Sequence, residues 1–460
     1  MTETVKIVSP VDGSVYADRP IASDAEIASA VRAARAALPE WRKVSIAERA
    51  KHMLAFLDAL LAMNDDITKE LAWQMGRPVR YGGEKGATEE RIRTMAALAE
   101  EALAPYYPPA KDGFRRFIAR EPVGVVMVIA PWNYPYLTAI NTIVPGLLAG
   151  NAIILKHAAQ TLLVGERIAE AFKQARLPMG LFHNLVMSHE QTEKLIGSGQ
   201  IDHINFTGSI AGGRAIERAA AGTFASIGLE LGGKDPAYVR ADATLYHAIE
   251  NLVDGTFYNT GQCCCGVERI YVDAKVYDDF VDGFADLTHK YVVGNPLDQA
   301  TTLGPMARAS FADTVRSQTA EALRKGATAL INMKVEGDKP GSPYLAPEVL
   351  TNVNHQMEVM REESFGPVVG IMRVRHDEEA ITLMNDSPYG LTASIWTREM
   401  DRAVDIGNRV QTGTVYMNRC DYLDPYLTWT GVKDTGRGSA LSKYGFDALT
   451  QPKSFHLRDA

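Results

Sequence analysis

The sequence predicts an α/β fold with doubly wound sheets. Three observations predict it: short apolar runs without polar interruption, stretches of helical periodicity between them, and two successive rounds of this alternation along 460 residues. The runs are of the kind buried on both faces of a parallel sheet. A chain of this length exceeds what one hydrophobic core fills, so two or three domains are expected. The sequence shows no internal repeat at solenoid spacing and no low-complexity linker.

The amino-terminal part reads as helices. Ser23-Asp24-Ala25-Glu26 and Ser45-Ile46-Ala47-Glu48 are both capping-box patterns, in which a hydroxyl and a glutamate satisfy the free amides of a first helical turn. From Val123 the texture changes. Val125-Val126-Met127-Val128-Ile129-Ala130 and Ala152-Ile153-Ile154-Leu155-Lys156 are strand candidates, a helix is expected over residues 162–176, and further strands over 181–187 and 203–206. The second alternation runs from Pro236 to about Val415, with a strand at Arg269-Ile270-Tyr271-Val272, a helix over residues 275–291 and a strand at Pro367-Val368-Val369-Gly370-Ile371-Met372.

Composition excludes several classes of function. Net charge is −8 and no basic run stands out, so neither nucleic acid nor an anionic membrane surface is expected as a partner. The longest apolar stretch, residues 140–155, is broken by Pro145 and Gly150 and is too polar to span a bilayer. The start Met1-Thr2-Glu3-Thr4-Val5-Lys6 lacks the apolar core of a signal peptide. Free cysteines without a targeting segment point to the cytoplasm.

Chemistry concentrates at Gly261-Gln262-Cys263-Cys264-Cys265-Gly266, which holds three of the four cysteines, with Cys420 the fourth. Three adjacent cysteines cannot form a disulfide framework, and a buried apolar thiol is the common fate of a free cysteine. A nucleophile is the alternative, and it needs a depressed pKa, a base and donors for an oxyanion. Asn133 in Pro131-Trp132-Asn133-Tyr134-Pro135 could cap a turn or stabilise an oxyanion. Glu230 in Leu229-Glu230-Leu231-Gly232-Gly233-Lys234 ends an apolar run, where a partly desolvated carboxylate suits a general base. No metal site is expected: three consecutive cysteines do not readily converge on one ion, and no His or Cys stands at zinc spacing.

Glu-Leu-Gly-Gly-Lys followed by Gly-Gln-x-Cys resembles the two active-site signatures of the aldehyde dehydrogenase superfamily. Their separation, 264 − 230 = 34 positions, matches that family when the second cysteine is the nucleophile. Other landmarks follow in order: Phe206-Thr207-Gly208-Ser209, Glu363-Ser364-Phe365-Gly366-Pro367, and Asn385 before Tyr389-Gly390-Leu391. The resemblance implies an aldehyde dehydrogenase-like fold. A Rossmann-type cofactor domain would comprise residues 1–103 and 124–230, an α/β catalytic domain residues 231–435, and a small β oligomerisation ribbon with tail residues 104–123 and 436–460. It further implies a homodimer or homotetramer that oxidises an aldehyde to its acid with NAD or NADP, through a cysteine thiohemiacetal and thioester.

In that reading Cys264 attacks, Asn133 holds the oxyanion and Glu230 activates water. Trp132, Lys156, Gly208, Ser209, Gly213, Glu363 and Phe365 hold the dinucleotide, although the segment around Gly208 lacks G-x-G-x-x-G. Tyr134, Leu137, Cys263, Cys265, Leu423 and Trp429 line the aldehyde tunnel. Relatives that form coenzyme A thioesters typically lack the glutamate at Glu230, and phosphorylating ones carry another cysteine signature. A non-catalytic protein on the same fold is the rival class; intact Cys264, Glu230, Asn133 and Glu363 speak against it.

One departure concerns the cofactor. The NAD-preferring pattern after the lysine is commonly Lys-Pro-Ser-Glu, and here it is Lys156-His157-Ala158-Ala159. Ala159 offers no carboxylate to bind a ribose 2′-hydroxyl or repel a 2′-phosphate, so NADP acceptance is expected. That segment and the chain length are also similar to short bacterial succinate-semialdehyde dehydrogenases. Such enzymes need a cation for the distal carboxylate, and Arg419 is the nearest candidate by position, with a surface or packing role as the alternative.

Overall fold

Two sheets organise the chain in a computed structural model that describes residues 3–458. The first has six strands. Val125–Ala130, buried along its whole length, lies between the parallel strands Ala152–His157 and His203–Thr207. Phe182–Asn184 adds outside Ala152–His157, Ser226–Glu230 adds outside His203–Thr207, and Gly436–Arg437 pairs antiparallel with the latter edge. The direction of winding therefore reverses between Val125–Ala130 and His203–Thr207. Their carboxyl ends open a crevice there, the usual position of a ligand in such sheets.

The second sheet has seven strands, with Val267–Asp273 flanked by Val368–Val374 and Asp235–Val239, all parallel, and Thr392–Trp396 and Thr414–Met417 beyond. Separate apolar clusters cover its two faces, and a third, larger one surrounds the first sheet. Both expected alternations are thus present. The strand expected over 181–187 pairs only across Phe182–Asn184, because Ser188 then caps the helix His189–Gly197 and the chain must turn into it.

Ser23 caps the helix Asp24–Trp41 with the full reciprocal box. Ser45 caps Ile46–Ala62 by accepting from Glu48 N at 3.2 Å, but the Glu48 carboxylate pairs with Lys51 at 2.5 Å and does not return to the cap. The apolar stretch 140–155 divides between the buried helix Pro135–Ala149 and the strand Ala152–His157, with Gly150 at φ 97° closing the helix. Among the described residues no helix is long and apolar enough to cross a membrane.

Phe114–Pro122 and Thr450–Arg458 form a two-stranded antiparallel ribbon of their own, in which the Phe117 and Phe455 rings stack at 4.4 Å. The stretch leading into it does not belong to the ribbon: Gly436–Arg437 joins the first sheet, and Phe446 and Leu449 are buried in that sheet's core.

The two halves meet where the backbone of Gly304 passes against that of Gly76, which ends the helix Asn64–Met75 at φ 83°. A Cβ on Gly304 would overlap the Gly76 carbonyl oxygen. Because both partners are backbone, neither can turn aside. Gly304→Ala is therefore expected to lower the unfolding free energy by at least about 1–3 kcal/mol, read from the midpoint of a denaturant titration.

Candidate active site

At the crevice the loops after Ala130, Thr207 and Glu230 face loops of the second sheet across a cavity of about 570 Å³. Cys264, Glu230 and Asn133 all line it, as do Tyr134, Leu137, Cys263, Cys265, Leu423 and Trp429. Trp132, Gly208, Ser209, Glu363 and Phe365 line it too; Lys156 and Gly213 do not.

The cysteines sit after a strained turn. Asn259, Thr260 and Gly261 are consecutively left-handed, at φ 55°, 60° and 70°, a conformation that costs a non-glycine residue about 1–3 kcal/mol. Surrounding bonds enforce it: Asn259 Nδ2 donates to Asn133 O at 3.2 Å and Gln262 O at 3.1 Å, and Thr260 Oγ1 donates to Gly304 O at 3.1 Å. Gln262 Nε2 donates to Asn259 O at 3.0 Å, while its Oε1 accepts from Ala307 N at 2.8 Å. Glycine is required at 261 because the Gly366 carbonyl occupies the space of a Cβ.

This turn leaves Cys264 partly exposed in the cavity and buries Cys263 and Cys265. The neighbouring Cys263 thiol, then that of Cys265, draws the Cys264 thiol below its usual range, against burial and the Asp235 and Asp421 charges. The flanking thiols donate to Asp421 Oδ1 at 3.1 and 3.0 Å and lie 3.5 Å apart. These three ligand-type groups sit within 4.8 Å of one another. The convergence of two cysteines on a distant aspartate was outside what cysteine spacing alone reveals.

Asn133 Nδ2 donates one N–H to Gln262 O at 3.3 Å, and its second N–H has no acceptor among the described residues. Its backbone carbonyl accepts from Arg77 Nη2 and Asn259 Nδ2. Arg77 also donates to Asn259 Oδ1 at 3.1 Å and pairs with Glu84 at 2.6 Å, both side chains being buried. Glu84 in turn accepts from the amides of Tyr136 and Leu137, at 3.2 and 2.9 Å, at the start of the helix Pro135–Ala149. Sequence reasoning missed Arg77, Glu84 and Asn259; none stands in a motif that spacing could single out.

Glu230 ends the strand Ser226–Glu230, and its Oε2 accepts from Thr207 Oγ1 at 3.2 Å. Burial pushes its carboxyl up to about 7, against the Thr207 hydroxyl and the Arg91 guanidinium.

The other half of the crevice suits a dinucleotide. Ser209 caps the helix Ile210–Ala220, whose first turn opens at the crevice and offers amides to an anion. Gly213 serves packing, since a Cβ there would press on Leu231. Trp132 stacks on Phe311 at 5.3 Å and meets Phe365 edge-on at 5.6 Å. Glu363 accepts from Gly233 N at 3.0 Å, and burial, with Glu268 nearby, pushes its carboxyl up to about 8. Lys156 is buried near the end of its strand and has no side-chain partner among the described residues.

The residues after Lys156 have other engagements. His157 contacts Pro135 O at 3.2 Å and Thr161 Oγ1 at 3.3 Å, and burial pulls it down to about 4, so it is neutral. Gln160 donates to Val8 O and Gln74 O and accepts from Arg308 Nε. Arg419 is exposed, stacked over the Tyr422 ring at 3.4 Å, and does not line the cavity; a packing role is what its surroundings show. Two buried cations do line the cavity, Arg77, which is paired with Glu84, and Arg91, which has no ion pair among the described residues; nothing in the sequence singles out Arg91 beyond a helical position.

Comparison with known proteins agrees with this geometry. The family model described as "Aldehyde dehydrogenase family" matches residues 1–455. Geranial dehydrogenase of Castellaniella defragrans is 33% identical over 99% of this chain and 96% of its own. Succinate semialdehyde dehydrogenase [NAD(P)+] Sad of Escherichia coli is 31% identical over 95% of this chain and 94% of its own. The crystal structure of succinate-semialdehyde dehydrogenase from Burkholderia pseudomallei superimposes with a TM-score of 0.95 at 31% identity, covering 99% of this chain and 95% of that one.

Proposed function

The chain belongs to the aldehyde dehydrogenase family and is an NAD(P)-dependent aldehyde-oxidising enzyme, and on that premise we propose that Cys264, Asn133 and Glu230 divide the reaction between them. One observation carries this reading: the least buried thiol of the triplet lines the same cavity as the Asn133 amide, which keeps one N–H without a partner among the described residues, and a carboxyl poised near neutrality.

The Cys264 thiolate adds to the aldehyde carbon. The resulting oxyanion takes the second N–H of Asn133 Nδ2, a donor that stabilises charge without titrating; losing one such donor commonly costs about 10²–10³ in rate. A bound nicotinamide supplies the acceptor for the hydride. Glu230 then takes a proton from the water that attacks the Cys264 thioester, and the acid leaves as the thiolate is restored. On the dinucleotide side, Lys156 would hold the adenosine ribose, the Gly208-Ser209 helix start the pyrophosphate and Glu363 the nicotinamide ribose, with Trp132 and Phe365 packing against the cofactor.

The two halves around the crevice support a cofactor domain of residues 1–103 and 124–230 and a catalytic domain of 231–435. The ribbon of Phe114–Pro122 with Thr450–Arg458, most of which lies outside the core, supports a homodimer or homotetramer.

Cys264→Ala should abolish aldehyde oxidation while dinucleotide binding, followed by quenching of tryptophan fluorescence, persists; Cys263→Ala and Cys265→Ala should mainly change substrate preference. Turnover by Cys264→Ala would overturn the assignment.

Glu230 acts as a base only when ionised, so where hydrolysis limits turnover kcat should rise about tenfold per pH unit below about 7 and level off above it. Glu230→Gln should still give a pre-steady-state burst of reduced cofactor and then stall as acyl-enzyme. A lost burst would mean that Glu230 chiefly activates the thiol.

Ala159 supports NADP+ acceptance, with Lys156 as the cation for a 2′-phosphate; His157 and Gln160, engaged as they are, leave that position open. Ala159→Glu should lower kcat/KM for NADP+ by about tenfold or more through like-charge repulsion. Strong NAD+ turnover with negligible NADP+ turnover by the wild type would overturn this.

A further inference from the structure

The helix Lys85–Ala102 forms one wall of the cavity, and from it Arg91 enters that wall with only 7% of its surface exposed. Its Nη1 donates to Leu137 O at 3.3 Å and to Asn141 Oδ1 at 3.0 Å. Those are its hydrogen bonds among the described residues, where it also forms no ion pair. A guanidinium has five N–H donors, and the Nε–Nη2 edge that forks onto a carboxylate is the part left without a partner. Asn141 commits its oxygen to Arg91, so its Nδ2 likewise has no protein partner among the described residues. The result is a group of donors with no acceptor.

A buried cation without a counter-ion is unfavourable unless something completes it. No carboxylate among the described residues does so. Glu84 is taken by Arg77 and two helix amides, Glu230 by Thr207, and Glu90 accepts from the Tyr422 hydroxyl at 2.9 Å. The other cations near the cavity do not compete for the role, since Arg77 is neutralised by Glu84, Lys85 is exposed and Arg419 lies outside. Arg91, Glu230 and Cys264 line the same cavity, so one molecule held there can meet both the thiol and the guanidinium. Leu137 and Trp429, both buried and lining that cavity, offer apolar surface to a few methylene groups.

We propose that Arg91, together with the Asn141 amide, anchors a carboxylate at the far end of the aldehyde, so that the preferred substrates are short aldehyde acids. This rests on the reading of Cys264 as the nucleophile. Family membership alone does not supply it, because the relatives include enzymes named for geranial and for succinate semialdehyde.

The test compares kcat/KM of the full-length enzyme for matched pairs, 4-oxobutanoate with butanal and 5-oxopentanoate with pentanal. The wild type should favour the acid member by at least about tenfold, as expected for hydrogen bonds to a charged group. Arg91→Met should reduce that acid-to-neutral ratio by about 10–100-fold, and Arg91→Lys, which keeps the charge but loses the fork, by less. Succinate should raise the melting temperature of the wild type and not that of Arg91→Met, a readout independent of turnover. Should Arg91→Met not fold, Asn141→Leu should still lower the ratio. A wild-type ratio near one, or an equal loss for both members of each pair, would overturn the proposal and leave Arg91 a tie between two helices. Absence of turnover with every aldehyde would instead strike the nucleophile reading, and the succinate melting shift would still decide for or against Arg91.

Discussion

The buried ion pair between Arg77 and Glu84 is the constraint on which the catalytic geometry depends. Alone, either charge would be costly at that depth, and removal of one partner from such a pair typically costs about 3–5 kcal/mol. Each partner therefore has to be placed, and each places something else. Glu84 fixes the first amides of Pro135–Ala149, which sets where Asn133 enters that helix. Arg77 fixes the Asn133 carbonyl and the Asn259 side chain together. Asn259 heads the left-handed turn before the cysteines, so Asn133 and the cysteine loop hang from one guanidinium. Strain in Asn259 and Thr260 is sustained because these bonds, with Thr260 to Gly304, allow no relaxed alternative.

A second buried pair does the same on the opposite side. Lys234 and Glu268 meet at 2.5 Å, and Glu268 also accepts from the amides of Ser364 and Phe365 at 2.8 and 2.9 Å. That clamps the turn carrying Glu363 against the Gly232-Gly233 backbone. The two clamped loops then touch directly, since the missing Cβ of Gly261 admits the Gly366 carbonyl. The thiol and the dinucleotide half of the crevice are thus held by separate ion pairs that share one tight backbone contact.

What was legible in the sequence follows from how local each signal is. Val125 to Ala130 and Ala152 to Lys156 read as buried strands because a run apolar on both faces has few other uses. Cys264, Glu230 and Asn133 were legible because spacing and neighbours resemble a family motif. Glu48 shows the limit: its place three residues after Ser45 predicts a capping box, but Lys51 on the same helix face competes for the carboxylate and wins. Arg77, Asp421 and Arg91 were beyond reach because their roles come from partners far along the chain, Asn259 for Arg77, Cys263 and Cys265 for Asp421, and Asn141 for Arg91. Arg419 was read from sequence proximity alone, and the ring of Tyr422, three residues on, captures it outside the cavity.

With Arg91 as anchor and Glu230 as base, recognition and catalysis would also be coupled through charge. Burial alone drives the Glu230 carboxyl upward, and Arg91 is one of two influences that draw it back to about 7. An anion seated on Arg91 would screen that cation, so the same carboxylate that anchors an aldehyde acid would weaken the pull on Glu230 and raise its pKa. A stronger base results, but one ionised at higher pH. Release of the acid product restores the cation and lets Glu230 shed its proton more readily at neutral pH. An anchor whose charge acts on the base would link occupancy of the cavity to the protonation of the group that must empty it.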